Sequence, residues 1–199
     1  WEIVVLLLAI FSGSLAGLGV ARLKGYVWHP PVFRSVWLVF LGFLPQWLAF
    51  YLPSTRRLLT DNQASVCLVI SQILLLVFAL ANLRLSGMPF LIFGLSCNLA
   101  VILANGGFMP LTVEAAASLV NQAVLNSLAI GERISSASKD ILLPGSQILF
   151  PWLADRFVPP VFMPYRFAFS LGDVFISVGA FWMLSNVSSI TSELNSGDA

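Results

Sequence analysis

The sequence predicts an all-α integral membrane protein, in which about five apolar helices form a bundle and an amphipathic segment precedes the last helix. Of its 199 residues, 58% are hydrophobic and only 10% are charged, whereas about a quarter of residues are charged in an average soluble domain. Mean hydropathy is +0.92. A formal net charge of +1 indicates no basic nucleic-acid surface, so the expected partners are the lipid bilayer and other membrane proteins.

A single transmembrane domain over residues 1–187 accounts for the apolar runs, each near the roughly 20 residues that cross a bilayer as a helix. The predicted spans are residues 3–20, 35–52, 64–83, 88–104 and 167–185, with an interfacial segment at 111–165 and a polar tail at 188–199.

The first two spans carry residues that predict how they pack. Gly13 and Gly17 form a GxxxG pattern, which lets a neighbouring helix approach closely. In the second span, Pro45 is expected to kink the helix because it frees a backbone carbonyl. Gln46 needs a polar partner inside the bundle.

The third and fourth spans are predicted to be an antiparallel pair, because only residues 84–87 separate them. Thr60 or Asp61 is expected to cap the third span. The fourth ends in Asn105-Gly106-Gly107, a sequence that permits positive φ at a sharp helix end, and Pro110 prevents the helix from resuming at once.

The interfacial segment is predicted to begin with an amphipathic helix from Thr112 to about Ile130, because apolar and polar residues alternate at helical spacing. A polar, serine-rich loop follows at residues 131–140. Residues 141–156 are apolar but interrupted by prolines and a glycine, which favours an interfacial or re-entrant piece too short to span.

Lysine and arginine in the short loops predict the orientation. One end of the bundle carries Arg22, Lys24, Arg34 and Arg84, and the other carries Arg56 and Arg57. The first end is therefore expected in the cytoplasm, with the N-terminus outside, the C-terminus inside and the interfacial segment outside.

Asp173 is the leading candidate for a functional residue, because it stands inside the last apolar run. A charged Asp near the bilayer centre costs roughly 2.5–3.5 kcal/mol on insertion scales. Asp173 lies about two helical turns from Tyr165, so it can sit near the outer interface, at a level with Asp140 and Asp155.

Two interpretations of Asp173 remain open. In the first, an ion pair with Arg166 or Arg156 neutralises the carboxylate and holds the last helix to the preceding segment. In the second, Asp155 and Asp173 share a proton, and one carboxylate acts as base on a water while the other acts as acid, as in an aspartic peptidase.

His29, the single histidine, stands in a short loop rich in aromatic and proline residues. A neutral imidazole can ligate a haem or chlorophyll metal, although a lone interfacial histidine more often has a structural role. No motif in the sequence implies a cofactor or a metal site.

Three short motifs resemble those of a family of bacterial multi-pass membrane proteins of unknown function. They are the glycine-containing first helix with its basic loop, the Asn105–Pro110 turn, and Gly172-Asp173 near the C-terminus. The resemblance covers most of the chain. It implies a multi-pass protein of the bacterial inner membrane and brings no activity with it.

The last third of the chain also resembles lipoprotein signal peptidase. Asp155, a proline-containing stretch and the sequence from Phe169 to Asp173 match that family's C-terminal region in order and approximate spacing, and Asn105 to Phe108 is similar to its Asn-x-Gly turn. The resemblance implies that Asp155 and Asp173 are catalytic.

The leading functional hypothesis is a non-enzymatic accessory or assembly subunit that binds partner membrane proteins, lipid or pigment. It depends on the abundance of helix-packing features relative to catalytic groups. The alternative is a membrane-embedded aspartyl hydrolase that uses Asp155 and Asp173.

Overall fold

The computed structural model describes residues 3–25, 27–160 and 166–186, most of which are helical. The predicted polar tail at 188–199 and the end of the interfacial segment at 161–165 lie outside these ranges. In chain order the elements are α1 (Ile3–Lys24), α2 (Trp37–Gln46) with its π-helical continuation (Trp47–Tyr51), α3 (Pro53–Arg56), α4 (Asp61–Ala81), α5 (Met88–Ala104), β1 (Met109–Thr112), α6 (Val113–Leu119), α7 (Gln122–Ser127), β2 (Asp140–Leu143) and α8 (Leu171–Ser185).

The five long helices pack side by side in the order α1, α8, α5, α4, α2. Among the described residues, α1 packs against α8 alone of these helices, and α2 packs against α4 alone. The row is therefore open, with α1 and α2 at its two edges. The antiparallel pairing of α4 and α5 agrees with the sequence prediction, since Ala79 and Met88 share one core cluster and Leu68 and Val101 share another.

Glycines bring α8 close to both of its neighbours. A Cβ atom at Gly13 of α1 would lie 2.8 Å from the Phe181 carbonyl oxygen, so the predicted close packing of the GxxxG helix is present. On the other side, a Cβ at Gly94 of α5 would lie 2.9 Å from the Ile176 backbone nitrogen. A side chain at either glycine would overlap the backbone of α8.

Local signals explain how α2 and α4 are formed. Thr60 caps α4 in a capping box with Gln63, as the sequence predicted for Thr60. Pro45 lies inside α2, and the backbone changes to a π-helix directly afterwards, from Trp47. Gln46 finds the expected polar partner, because its Nε2 donates to Ser71 Oγ of α4 at 2.6 Å.

The prediction of one amphipathic helix from Thr112 to Ile130 is wrong. The chain forms two short helices, α6 and α7, and is extended between them at Val120 and Asn121. Asn121 interrupts the helix because its side-chain oxygen accepts from the Val124 N–H at 2.9 Å and so begins α7.

The structure also contains a small parallel sheet, which the all-α prediction did not include. β1 pairs with β2 in the register Met109 to Asp140, where an interfacial or re-entrant piece was expected. Met109 and Ile141 are buried in the same cluster as Leu68 of α4. The sheet is therefore packed onto the bundle at the end where α4 begins and α5 ends.

Two helices are long and apolar enough to cross a membrane. They are α1, from Val4 to Lys24 with mean hydropathy 2.3, and α4, with mean hydropathy 2.6. The remaining long helices are apolar but shorter, with 15 residues in α8 and 17 in α5.

The contact between α5 and α8 predicts the effect of Gly94→Ala. The added methyl group would meet the backbone of α8, and overpacking of this kind costs about 1–3 kcal/mol. We expect a lower midpoint of thermal unfolding for the detergent-solubilised variant. Gly19→Ala in α1 is the matched control, since a Cβ there meets no atom within 4 Å. Equal midpoints for the two variants would contradict the described packing.

Candidate functional site

Asp173 lies in the first turn of α8 and belongs to the cap of that helix. The Ser170 hydroxyl accepts from the Asp173 N–H at 3.1 Å, and Asp173 Oδ2 accepts from the Ser170 N–H at 2.9 Å. These reciprocal bonds form a capping box, and an acidic side chain in the first turn also interacts favourably with the helix dipole.

Asn98 of α5 completes the hydrogen bonding of this cap. Its Nδ2 donates to Asp173 Oδ1 at 2.9 Å, and its Oδ1 lies 3.0 Å from Ser170 Oγ. The Ser170 hydroxyl has one proton and donates it either to Asn98 or to Asp173 Oδ2, which is 2.8 Å away. All three residues are buried, and Asp173 is thus held by neutral donors within a hydrogen-bonded triad.

Gly172 allows this triad to form. A Cβ atom at Gly172 would lie 2.7 Å from Asn98 Cγ, so any side chain there would displace the amide from the carboxylate. The Gly-Asp pair that the sequence singled out therefore combines a close helix contact with a buried carboxylate.

The triad belongs to a layer of polar residues that crosses the bundle at one level. Asn98 lies level with Gln72 of α4, because Leu68 packs in the cluster of Val101 and Ala79 packs in that of Met88. Gln72 is buried, and its Oε1 has no hydrogen-bond partner among the described residues. Ser71, beside it, bonds Gln46 and the Gly42 carbonyl oxygen of α2.

The sequence analysis allows Asp173 to sit near the outer interface of a membrane, and that depth stays a prediction. The polar layer gives the level of Asp173 within the bundle, since Gln72 and Ser71 stand at the middle of α4, which runs from Asp61 to Ala81. Asp173 is therefore level with the centre of a helix long enough to span a membrane, although it stands at the beginning of its own helix.

The other two acids lie on either side of β1. Asp140 pairs with Met109 in the sheet, and Asp155 donates its N–H to the Pro110 carbonyl oxygen at 3.1 Å. Burial raises the pKa of the Asp140 carboxyl above its ordinary value, and the charge of Asp173 raises it further. Lys139 and the Ser138 hydroxyl, which donates to Asp140 Oδ2 at 2.8 Å, act in the opposite direction.

The two interpretations of Asp173 can be compared with these contacts. In the described part of the chain, neither Arg156 nor Arg166 pairs with Asp173; both are exposed, and the Arg156 guanidinium lies over the Phe157 ring. No hydrogen bond joins Asp155 to Asp173 there. The hydrogen-bond partners of Asp173 are Asn98 and Ser170, and neither was singled out from the sequence.

The Asn-Gly-Gly turn does more than end α5. Asn105 is buried, and its Nδ2 donates to the Val101 and Leu149 carbonyl oxygens at 2.8 and 2.9 Å. Its Oδ1 accepts from the Leu149 N–H at 2.9 Å. Gly106 and Gly107 follow with φ values of +81° and +86°. Asn105 thus connects the end of α5 to the loop after β2.

His29 is exposed in the loop after α1. Its neighbour Trp28 is more closely integrated, since its Nε1 donates to the Leu184 carbonyl oxygen of α8 at 3.1 Å. Among the described residues, no group of three or more histidine, cysteine or acidic side chains is placed to hold a metal ion.

The fold and the polar layer define a mostly helical protein with two helices suited to crossing a membrane. The chain belongs to DUF5317, a family of unknown function, whose family model matches residues 31–185. The prediction that the chain belongs to a family of unknown function is confirmed. No curated protein and no solved structure shows significant similarity to the chain, and the resemblance to lipoprotein signal peptidase stays a prediction.

A substitution tests the role of the triad. Asp173→Leu removes both acceptor oxygens, so the Asn98 Nδ2 and Ser170 N–H donors lose their partner, and leaving a buried polar group without a partner costs about 1–3 kcal/mol. We expect Asp173→Leu to lower the unfolding midpoint and Asp173→Asn to lower it less, because rotation of the two amide groups lets every donor meet an acceptor again. A fully stable Asp173→Leu variant would contradict this structural role.

The raised pKa of Asp140 predicts that the stability of the fold depends on pH. Its pKa is higher in the folded than in the unfolded state, so stability falls as pH rises from the ordinary carboxyl pKa of about 4 through the folded value. Asp140→Asn should weaken this fall, and the exposed Glu114→Gln should leave it unchanged. Unfolding midpoints measured from acidic to neutral pH provide the test, and identical profiles for the wild type and Asp140→Asn would contradict it.

Proposed function

We propose that the protein is a multi-pass integral membrane protein, in which all five long helices cross the bilayer, and that it acts as a non-enzymatic accessory or assembly subunit. The supporting observation is the large apolar surface on the outside of the helix row. Phe11 of α1 is 66% exposed and Phe40 of α2 is 72% exposed. In α1, only 17% of the most apolar 18-residue stretch is buried. Exposed apolar surface of this extent favours contact with lipid or protein.

The same proposal accounts for the polar layer. Polar side chains at the middle of a membrane helix must find partners inside the protein, because lipid supplies none. Gln46 with Ser71, and Asn98 with Asp173, satisfy this requirement. The strands lie level with the half of α4 that begins at Asp61, and their burial is consistent with the proposal. Non-helical backbone at membrane depth must be buried in protein, and Met109 and Leu111 are fully buried.

Charge favours one orientation. Arg22, Lys24 and Arg84 lie at the end of the row opposite to the sheet, and the positive-inside rule favours the cytoplasmic side for that end. The sheet and the short helices would then face outside, in the cell membrane of a bacterium.

The open row supports the accessory role. Both edge helices have one helix neighbour among the described residues, and α1 presents Leu8, Phe11 and Leu15 outward. A bundle that acts alone in lipid needs no such edge, whereas a subunit of a larger complex can pack a partner helix there. The carboxylate of Asp173 contributes to helix packing in this proposal.

The test is purification of the tagged protein from its native membrane in mild detergent. We expect a membrane protein to copurify in stoichiometric amount, and the triple variant Leu8→Ala, Phe11→Ala and Leu15→Ala to lose it. The control is the triple variant Val66→Ala, Ile70→Ala and Ile73→Ala on the exposed face of α4, which should retain the partner.

A monodisperse protein without any partner would contradict the accessory role.

A second experiment tests the orientation with two exposed positions, Leu23 and Leu58. Each is replaced by cysteine after Cys67 and Cys97 have been replaced by alanine. An impermeant thiol reagent should label position 58 alone from outside the cell, and labelling of position 23 would reverse the orientation.

A further inference from the structure

An open cleft of about 340 Å³, called the cavity below, lies at the end of the bundle that carries the sheet. Its volume is within the range of small-molecule sites. It is bounded by the first turn of α4, the turn after α5 and the chain leading into β2. The residues that line it are Asp61, Asn62, Ser65, Asn105, Gly106, Phe108, Gly131, Arg133 and Ile141.

Arg133 supplies the positive charge of this cavity. The Arg133 side chain is only 10% exposed, and its Nη2 forms an ion pair with Asp61 at 2.6 Å. Its Nη1 donates to the Ser136 carbonyl oxygen at 3.2 Å, and its guanidinium lies 5.5 Å from the centroid of the Phe108 ring. Among the described residues, these contacts use two of the five N–H donors of a guanidinium.

Two glycines are among the residues that line the cavity. Gly106 and Gly131 have φ values of +81° and +88°, and a Cβ atom at either position would meet no other atom within 4 Å. The backbone therefore favours glycine for its conformation, and the absence of side chains leaves open space at the cavity. This is a second consequence of the Asn-Gly-Gly turn.

The position of the cavity indicates its occupant. It lies where α4 begins and α5 ends, the level at which membrane helices meet lipid headgroups. The N-terminus of a helix favours anions, and a guanidinium binds phosphate through two parallel hydrogen bonds. Asp61, whose side chain is 69% exposed, is a partner that can give way to a phosphate.

We propose that this cavity binds the phosphate group of a membrane phospholipid through Arg133 and the first turn of α4. The proposal rests on the proposed membrane location of the bundle. Asp61 holds the guanidinium in place when the lipid is absent, and the Phe108 ring supports its other face.

The test measures thermal unfolding of the purified full chain in detergent with three additives. They are phosphatidylglycerol, diacylglycerol with the same acyl chains, and inorganic phosphate. We expect phosphatidylglycerol to raise the midpoint by several degrees and diacylglycerol to leave it nearly unchanged. Arg133→Gln should remove most of the shift, and Arg57→Gln, an exposed arginine at the same end, should keep it.

A second variant excludes a trivial loss of folding. Asn62→Phe, at an exposed position, retains Arg133 and Asp61 but fills the cavity, and it should also abolish the shift. An equal shift with diacylglycerol, or in Arg133→Gln, would overturn the proposal. An equal shift with inorganic phosphate would show that the site binds the free ion, and it would overturn the proposal that the ligand is a phospholipid. Alkaline extraction of native membranes tests the membrane location separately.

Discussion

The buried carboxylate of Asp173 requires hydrogen-bond donors, and the arrangement of α5 and α8 depends on meeting that requirement. An uncompensated charge in a low-dielectric interior is far more costly than any single packing contact in the bundle. Asn98 and the Ser170 backbone supply the donors, and Gly94 and Gly172 let the two helices approach closely enough. The hydrogen bonds of Asn98 and the close glycine contacts, which also include Gly87 and Gly179, thereby specify the relative position of α5 and α8.

The same contact fixes where α8 begins. Because Ser170 must reach Asn98 in the middle of α5, the chain before α8 has to enter the bundle in an extended form. It does so through the backbone pair of Phe157 and Phe169, with hydrogen bonds of 3.1 and 2.9 Å in both directions. The extended chain packs against the sheet, since Ala168 is buried in one cluster with Leu111 and Leu142.

The helices were largely predictable because apolar length and capping residues act locally. Met88–Ala104 was predicted with its observed limits, and Thr60, the observed cap of α4, was one of the two candidates, with Asp61. The sheet was not predictable, since β1 and β2 depend on burial against Leu68 and Val101, contacts between residues far apart in sequence. Asn98 was missed for the same reason, although an amide inside an apolar helix is a signal that could have identified it.

The row of helices has a consequence for the order in which the protein assembles. Among the described residues, α1 contacts α8 and no other long helix, although every other described helix lies between these two in the sequence. The contact of α1 with α8 therefore closes a long loop, which costs chain entropy. The small-residue face of α1, with Gly13 and Gly17, gains its native neighbour only when α8 has been placed beside it.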